Sequence, residues 1–278
     1  MINEHFKSDI KDRLVRTSLI SAESYDFISQ YSKKIFDEHK KHSLLGILFP
    51  LDIFKKLHPA VQSAVLMLMI YVNRSQPTQF SYNSLIELRN FALNDPLHCP
   101  FQLPGKISIG KAYNHLFIGI KKDLNIKNTK INIGGSITTE SGITISIEPV
   151  EHRGKSISSN GEVWKKIALG LDAEMIQFAS VPKNSLFNVR SRKAGDRYTP
   201  IHGKESKIKD LLITAHVPQQ LKNIIPIIES EEKIIWLSGW RIGDYFQICD
   251  NFMKSNIENI VIKTSYKYDN ITGSGRNF

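Results

Sequence analysis

Apolar positions along the chain repeat first with a helical period and later with a strand period. From Phe6 to Phe36 the apolar residues Ile10, Leu14, Ile20, Tyr25, Ile28, Tyr31 and Ile35 fall at helical spacing, and Lys33, Lys34, Lys40 and Lys41 fall on the polar side. Pro50 and Pro59 punctuate the next stretch. A strongly apolar helix is predicted from Ala60 to Tyr71, with Pro59 in its first turn and Met67 and Met69 as core filler. Another helix starts near Ser81, for which Ser81 or Asn83 is the candidate cap. These segments predict a small helical unit.

The period changes after Leu88. Residues 101–111 alternate apolar and polar around a Pro104-Gly105 turn, and Tyr113 to Ile120 continues in strand style, which predicts a hairpin. Two short strands come next, Ile131 to Thr138 and Gly142 to Ile147. Gly134-Gly135-Ser136 lies among alternating β residues with no helix after it, so it reads as a turn or bulge and not a phosphate loop. His152 to Gly161 reads as a loop. Further strands are expected at Ile176–Ala179, Leu186–Arg190, Ile224–Ile228, Ile234–Leu237, Gly243–Ile248 and Ile257–Thr264. A short amphipathic helix runs from Ile208 to Ala215, and a loose polar tail begins at Tyr266.

Composition narrows the function classes. The chain has 278 residues, 41% hydrophobic and 23% charged, which is ordinary for folded domains. Its net charge of +10 and pI near 9.4 point to a polyanionic partner, most often nucleic acid. The excess is partly local: Lys183, Arg190, Arg192, Lys193, Arg197, Lys204, Lys207 and Lys209 meet only Asp196 and Glu205 in that stretch. Cys99 and Cys249 stand far apart with no CxxC, which suits a reducing compartment and excludes a disulfide scaffold. His39 and His42 lack a third ligand, so no metal site is expected. Neither a secretory leader nor a membrane span is expected, because the start of the chain has no apolar core segment and Ala60 to Val72 is too short. The expected location is cytoplasmic.

The chain contains no GxxxxGK[ST], no GxGxxG after a strand, no HExxH and no GxSxG. No nucleophile and base can be paired by spacing, so no catalytic residue is assigned. The densest chemistry is Val189 to Arg197, where cations surround a Gly195-Asp196 turn at a strand end. It continues into Lys207-Ile208-Lys209-Asp210 at a helix start, an arrangement suited to phosphate contact. Asp196 and Asp210 read as groups that orient cations or cap the helix.

The order Arg190-Ser191-Arg192-Lys193-Ala194-Gly195-Asp196-Arg197, Pro200, Lys207 to Ile213, Val217-Pro218, Ile225 to Ile228, Ile235-Trp236 and Gly239-Trp240-Arg241-Ile242 resembles the C-terminal domain of bacterial tRNA(Ile)-lysidine synthases. Leu57 to Gln62, and Leu103-Pro104-Gly105 before Lys111-Ala112-Tyr113, look like that family's middle, substrate-binding domain. The sequence departs from the family pattern at Gln219, Gln220 and Lys222, and at Gly243 after Arg241-Ile242.

The resemblance implies an α+β fold, with a helical substrate-binding domain followed by a small mixed α/β C-terminal domain. Its implied divisions are residues 1–120 as the mainly helical, tRNA-binding middle domain, 121–185 as a β-rich connection, 186–265 as the C-terminal domain and 266–278 as the tail. That family uses ATP to join lysine to the anticodon cytidine of isoleucine tRNA, on a PP-loop domain opened by Ser-Gly-Gly-x-Asp-Ser. That motif is missing from these residues. The expectation is therefore a tRNA-gripping part that holds no cofactor itself, with ATP belonging to a PP-loop domain or separate subunit, and with homodimerisation open. The RNA contacts implied are Arg190, Arg192, Lys193, Asp196, Arg197, Lys207, Lys209 and Arg241. The alternative is a stand-alone RNA-binding or assembly protein that makes no lysidine.

Overall fold

A computed structural model describes residues 2–72, 81–94, 101–103, 107–120, 124–152, 154–247 and 256–268. The chain is α+β and divides into two compact units: residues 1–41 with 46–120, and residues 42–45 with 121–278.

The first unit opens with a 38-residue helix, α1 (Ile2–His39). A short strand, β1 (Lys41–Ser43), precedes β2 (Gly46–Pro50). Then come α2 (Leu51–Lys56), α3 (Pro59–Val72), α4 (Tyr82–Asn94), β3 (Phe101–Leu103), β4 (Ile107–Ala112) and β5 (His115–Ile120). The sheet order is β1-β2-β5-β4-β3. α3 is apolar nearly all round because it is enclosed. Val65, Leu66, Met69 and Ile70 are fully buried against Phe49, Phe54, Leu88 and Ile118. The Gln62 side chain donates to the Phe54 carbonyl at 3.0 Å, satisfying the buried end of α2. Ser81 is the cap of α4, accepting from the Ser84 N–H at 3.1 Å. The strand-rich character of this unit exceeds what the helical spacing before residue 90 conveys. The Pro104-Gly105 turn, Cys99 and Cys249 lie outside the described residues.

The second unit holds β6 (Thr129–Asn132), β7 (Ser136–Thr138), β8 (Ile143–Pro149), α5 (Glu162–Ala168), β9 (Ala173–Pro182), β10 (Leu186–Arg190), β11 (Arg197–Tyr198), β12 (Ser206–Lys207), α6 (Ile208–Thr214), β13 (Ile227–Ser230), β14 (Lys233–Leu237) and β15 (Ile257–Tyr266). Two antiparallel four-stranded sheets form, β14-β13-β10-β6 and β7-β8-β15-β9, with β11-β12 as a separate hairpin. Residues 121–185 are woven into the same sheets as the later strands: β6 pairs with β10, while β8 and β9 flank β15. The segment expected as one strand from Ile131 to Thr138 is split at Gly134-Gly135, where the chain leaves one sheet for the other.

Three further expectations are corrected. Ile224–Ile228 is not a single strand: pairing starts only at Ile227, because turn bonds such as Ile224 N–H to Leu221 O occupy the preceding backbone. Gly243–Gln247 is not a strand: Asp244–Phe246 is a single 3₁₀ turn, and Ile248 lies outside the described residues. The helix α5 lies in a stretch left unassigned by the pattern. Ser159 Oγ accepts from the Val163 N–H at 2.8 Å at its start, and Trp164 is fully buried with its indole donating to the Ser238 carbonyl at 2.8 Å. Seven residues are too few for periodicity to register. Of the tail, residues 269–278 lie outside the described residues. No helix among the described residues is long and apolar enough to cross a membrane.

The β13–β14 hairpin turns at Glu231 and Glu232, with φ of 49° and 65°. Both sit in the left-handed region that two-residue hairpin turns demand and that Asn-Gly adopts with less strain. The Glu231→Asn/Glu232→Gly variant is expected to be more stable by about 1 kcal/mol, read as a higher midpoint in thermal denaturation.

Candidate nucleic-acid interface

The basic run does not present a uniform charged surface; the fold sorts it into three groups. The first is internal. Arg190 ends β10 and is 7% exposed, with Asp196 at 11% and Glu229 at 13%. Its Nη1 and Nη2 donate to the two carboxylate oxygens of Asp196 at 2.8 and 3.1 Å, and its Nε donates to Glu229 Oε2 at 2.7 Å. Asn188 supplies a further donor to Glu229 Oε1 at 2.7 Å. Burial opposes the charge of Arg190, but the two carboxylates outweigh it and raise its pKa further. Arg190 and Asp196, both expected as RNA contacts from the sequence, are thus engaged with each other inside the unit. Their geometry gives them a positioning role.

Asp196 then organises the turn. Its Oδ2 accepts from the Lys193 N–H at 2.6 Å, and its carbonyl accepts from the Ile208 N–H at 3.0 Å where α6 begins. Gly195 has a φ of +88°, a conformation this turn needs and side chains resist. One buried guanidinium therefore fixes both the basic turn and the start of the helix carrying Lys209.

The second group faces outward beside the segment before β13. Ser191 Oγ accepts from the Ile126 N–H at 2.7 Å and donates to the Asn223 carbonyl. Arg192 Nε donates to the Asn223 side-chain oxygen at 3.1 Å. Lys222 and Lys209 complete the group. Partial burial, with the nearby charges of Arg192 and Lys209, holds the Lys222 ammonium below the usual lysine range. Among the described residues none of these three cations enters an ion pair within 4.0 Å. Three like charges held together without an acid form an anion-seeking arrangement. The sequence singled out Arg192 and Lys209, whereas Lys222 stood there only as a departure from a pattern. Its neighbourhood arises from the fold.

The third group lines a cleft of about 490 Å³ together with Tyr198, Glu232, Lys233 and Tyr245: Lys193 and Arg197, the latter paired with Glu205 at 2.7 Å. Lys207 lies opposite Arg197 in the β11–β12 hairpin and is exposed. The Arg241 side chain is also exposed, while its carbonyl accepts the hydroxyl proton of the buried Tyr198. Lys233 and Tyr245 escaped the sequence reading, which treated both only as strand residues.

The chain is a basic α+β protein, and comparison with known proteins shows what it is similar to. Residues 187–256 match the family model described as "TilS substrate C-terminal domain". The chain is similar to the tRNA(Ile)-lysidine synthase of Caldanaerobacter subterraneus subsp. tengcongensis, at 24% identity over 262 residues, covering 91% of this chain and 52% of the relative. It is also similar to the tRNA(Ile)-lysidine synthase of Clostridium tetani, at 31% identity over 166 residues, covering 56% of this chain and 33% of the relative. The resemblance read from the residues thus extends well upstream of the basic turn. The chain spans about half the length of the first relative. A solved structure titled "Crystal structure of TILS C-terminal domain" aligns with 51% of this chain and 98% of its own, at 20% identity and a TM-score of 0.37.

Removing Arg190 alone would strand two buried carboxylates. Arg190→Ala is expected to cost about 3–5 kcal/mol in urea denaturation. Arg190→Lys should recover only part of that loss, because an ammonium cannot reproduce the two-pronged contact with Asp196.

Proposed function

We propose that this chain is the tRNA-gripping part of a tRNA(Ile)-lysidine synthase and that it performs no ATP chemistry of its own. Lysine attachment to the anticodon cytidine requires a PP-loop domain, carried elsewhere in the protein or on a separate subunit, and ATP binds there. The observation that carries the reading is the un-neutralised Arg192, Lys209 and Lys222 cluster inside the segment that matches a substrate domain model. Its chemistry suits successive phosphates of an RNA stem, which proteins read chiefly by shape and backbone.

Arg192 is aimed by Asn223, so it meets a phosphate with little ordering left to do, while Lys209 stands exposed in the first turn of α6. Lys193, Lys207 and Arg241 are exposed and extend the positive surface. An arriving anion favours the charged form of Lys222, which burial and the neighbouring cations disfavour.

Filter binding of isoleucine tRNA across a salt series tests this. The logarithm of the affinity should fall linearly with the logarithm of salt concentration, by about 0.9 per phosphate neutralised on duplex. The Lys209→Gln/Lys222→Gln variant should flatten that slope by about two without losing thermal stability. Addition of a separately expressed PP-loop domain from a relative, with ATP, should yield lysine incorporation into the tRNA. Lysine incorporation by this chain alone would overturn the division of labour, and salt-independent binding would overturn the electrostatic grip.

A further inference from the structure

Tyr245 is the feature the phosphate-binding surface leaves unexplained. It is 77% exposed, among the most exposed large apolar side chains of the described residues. Its backbone is nonetheless held firmly. The Gly243 N–H donates to the Ile235 carbonyl at 2.7 Å, the Asp244 N–H to the Thr199 carbonyl at 2.9 Å, and the Phe246 N–H to the Gly243 carbonyl at 3.0 Å. Phe246, next in the chain, is buried and anchors the turn. A Cβ at position 243 would come within 2.8 and 2.9 Å of the Ile234 and Ile235 carbonyl oxygens, so glycine is required for this close approach. The ring is therefore pushed out by a rigid 3₁₀ turn, and Lys233 lies over it at 4.9 Å.

That ring lines the cleft of about 490 Å³, whose other walls carry Lys193, Lys233 and Glu232 beside the ion-paired Arg190–Asp196 and Arg197–Glu205. The volume falls in the range of clefts that enclose small ligands, about 300–1,000 Å³. The lining supplies an aromatic plane for a base, the ammonium groups of Lys193 and Lys233 for a phosphate, and a carboxylate able to accept from a base N–H. An intact stem keeps its bases stacked on one another, so a protruding aromatic has no use for paired RNA. We infer that this cleft takes one unpaired nucleotide of the RNA, stacked on Tyr245, beside the stem gripped by the Arg192 cluster. This inference rests on the RNA-binding reading above and names what a separate part of the surface recognises.

The experiment compares two RNA hairpins with the same stem, one blunt and one with a single-stranded 3′ overhang, binding to the full chain and to Tyr245→Ala and Tyr245→Phe. The overhang is expected to tighten binding on the order of tenfold. Tyr245→Ala should abolish that gain and leave the blunt hairpin unchanged, while Tyr245→Phe should retain it. A free nucleoside monophosphate should compete away the gain only at far higher concentration than the overhang RNA. Equal affinity for the two hairpins, or equal weakening of both by Tyr245→Ala, overturns the nucleotide cleft and leaves the stem-gripping surface standing. No binding of either hairpin overturns both readings. Since Tyr245 is exposed, its replacement leaves the core intact, and a thermal melt of each variant checks that.

Discussion

The second unit depends on one buried arrangement, the Arg190 guanidinium held between Asp196 and Glu229. A cation taken out of water is tolerated only when its donors are met, and here two carboxylates meet them on adjacent edges of the guanidinium. Asp196 lies six residues along the chain and Glu229 lies across the sheet, so the pair couples a local turn to a strand formed much later. Through Asp196 the constraint reaches Lys193 and the first turn of α6. The positions of Lys193 and Lys209 therefore depend on a residue that scarcely meets solvent itself.

This arrangement separates charges that are adjacent in sequence. Arg192 turns toward Asn223, while Lys193 and Arg197 turn toward the cleft. Burial first, and then the charges of Arg192 and Lys209, hold the Lys222 ammonium below the usual lysine range, so the group carries some mutual repulsion. Surface cations usually relieve such repulsion by spreading out or by finding an acid. Framing by Asn223, Ser191 and Ile126 prevents Arg192 from doing so, which keeps the group ready for an anion. The cleft has a different character, since Glu205 already neutralises Arg197 and an aromatic ring dominates its rim. The proposed RNA reading assigns the first surface to paired segments and the cleft to an unpaired one.

Part of the fold was legible because the signal was local. The helix at Pro59–Val72 announced itself by an apolar run behind a proline, interrupted only by Gln62 and Ser63, and the next helix by the capping residue types Ser81 and Asn83, of which the fold uses Ser81. The alternation in Gly142–Ile147 marked a real strand, because its residues alternate between buried and half-buried. The helix at Glu162–Ala168 gave no comparable signal, since most of its side chains are buried for reasons set by Ser238 and the surrounding strands. Gly243 to Ile248 looked like a strand because Tyr245 and Phe246 favour sheets. The backbone instead bonds to Ile235 and Thr199 and curls into a 3₁₀ turn.

Composition and short-range spacing are enough to establish the change from helical to strand period and the concentration of positive charge between Lys183 and Lys209, while the likeness to tRNA(Ile)-lysidine synthases, and the α+β layout it implies, rest on the order of the motifs from Arg190 to Ile242. Which of those cations face outward is settled by the folded arrangement alone. Arg190 and Arg192 are two residues apart and look equivalent in the chain, yet one is buried and the other framed at the surface. The difference lies in Glu229 and Asn223, which reach them only once β13 has paired with β10. Long-range pairing sets the environment of each charge, and no local pattern encodes it.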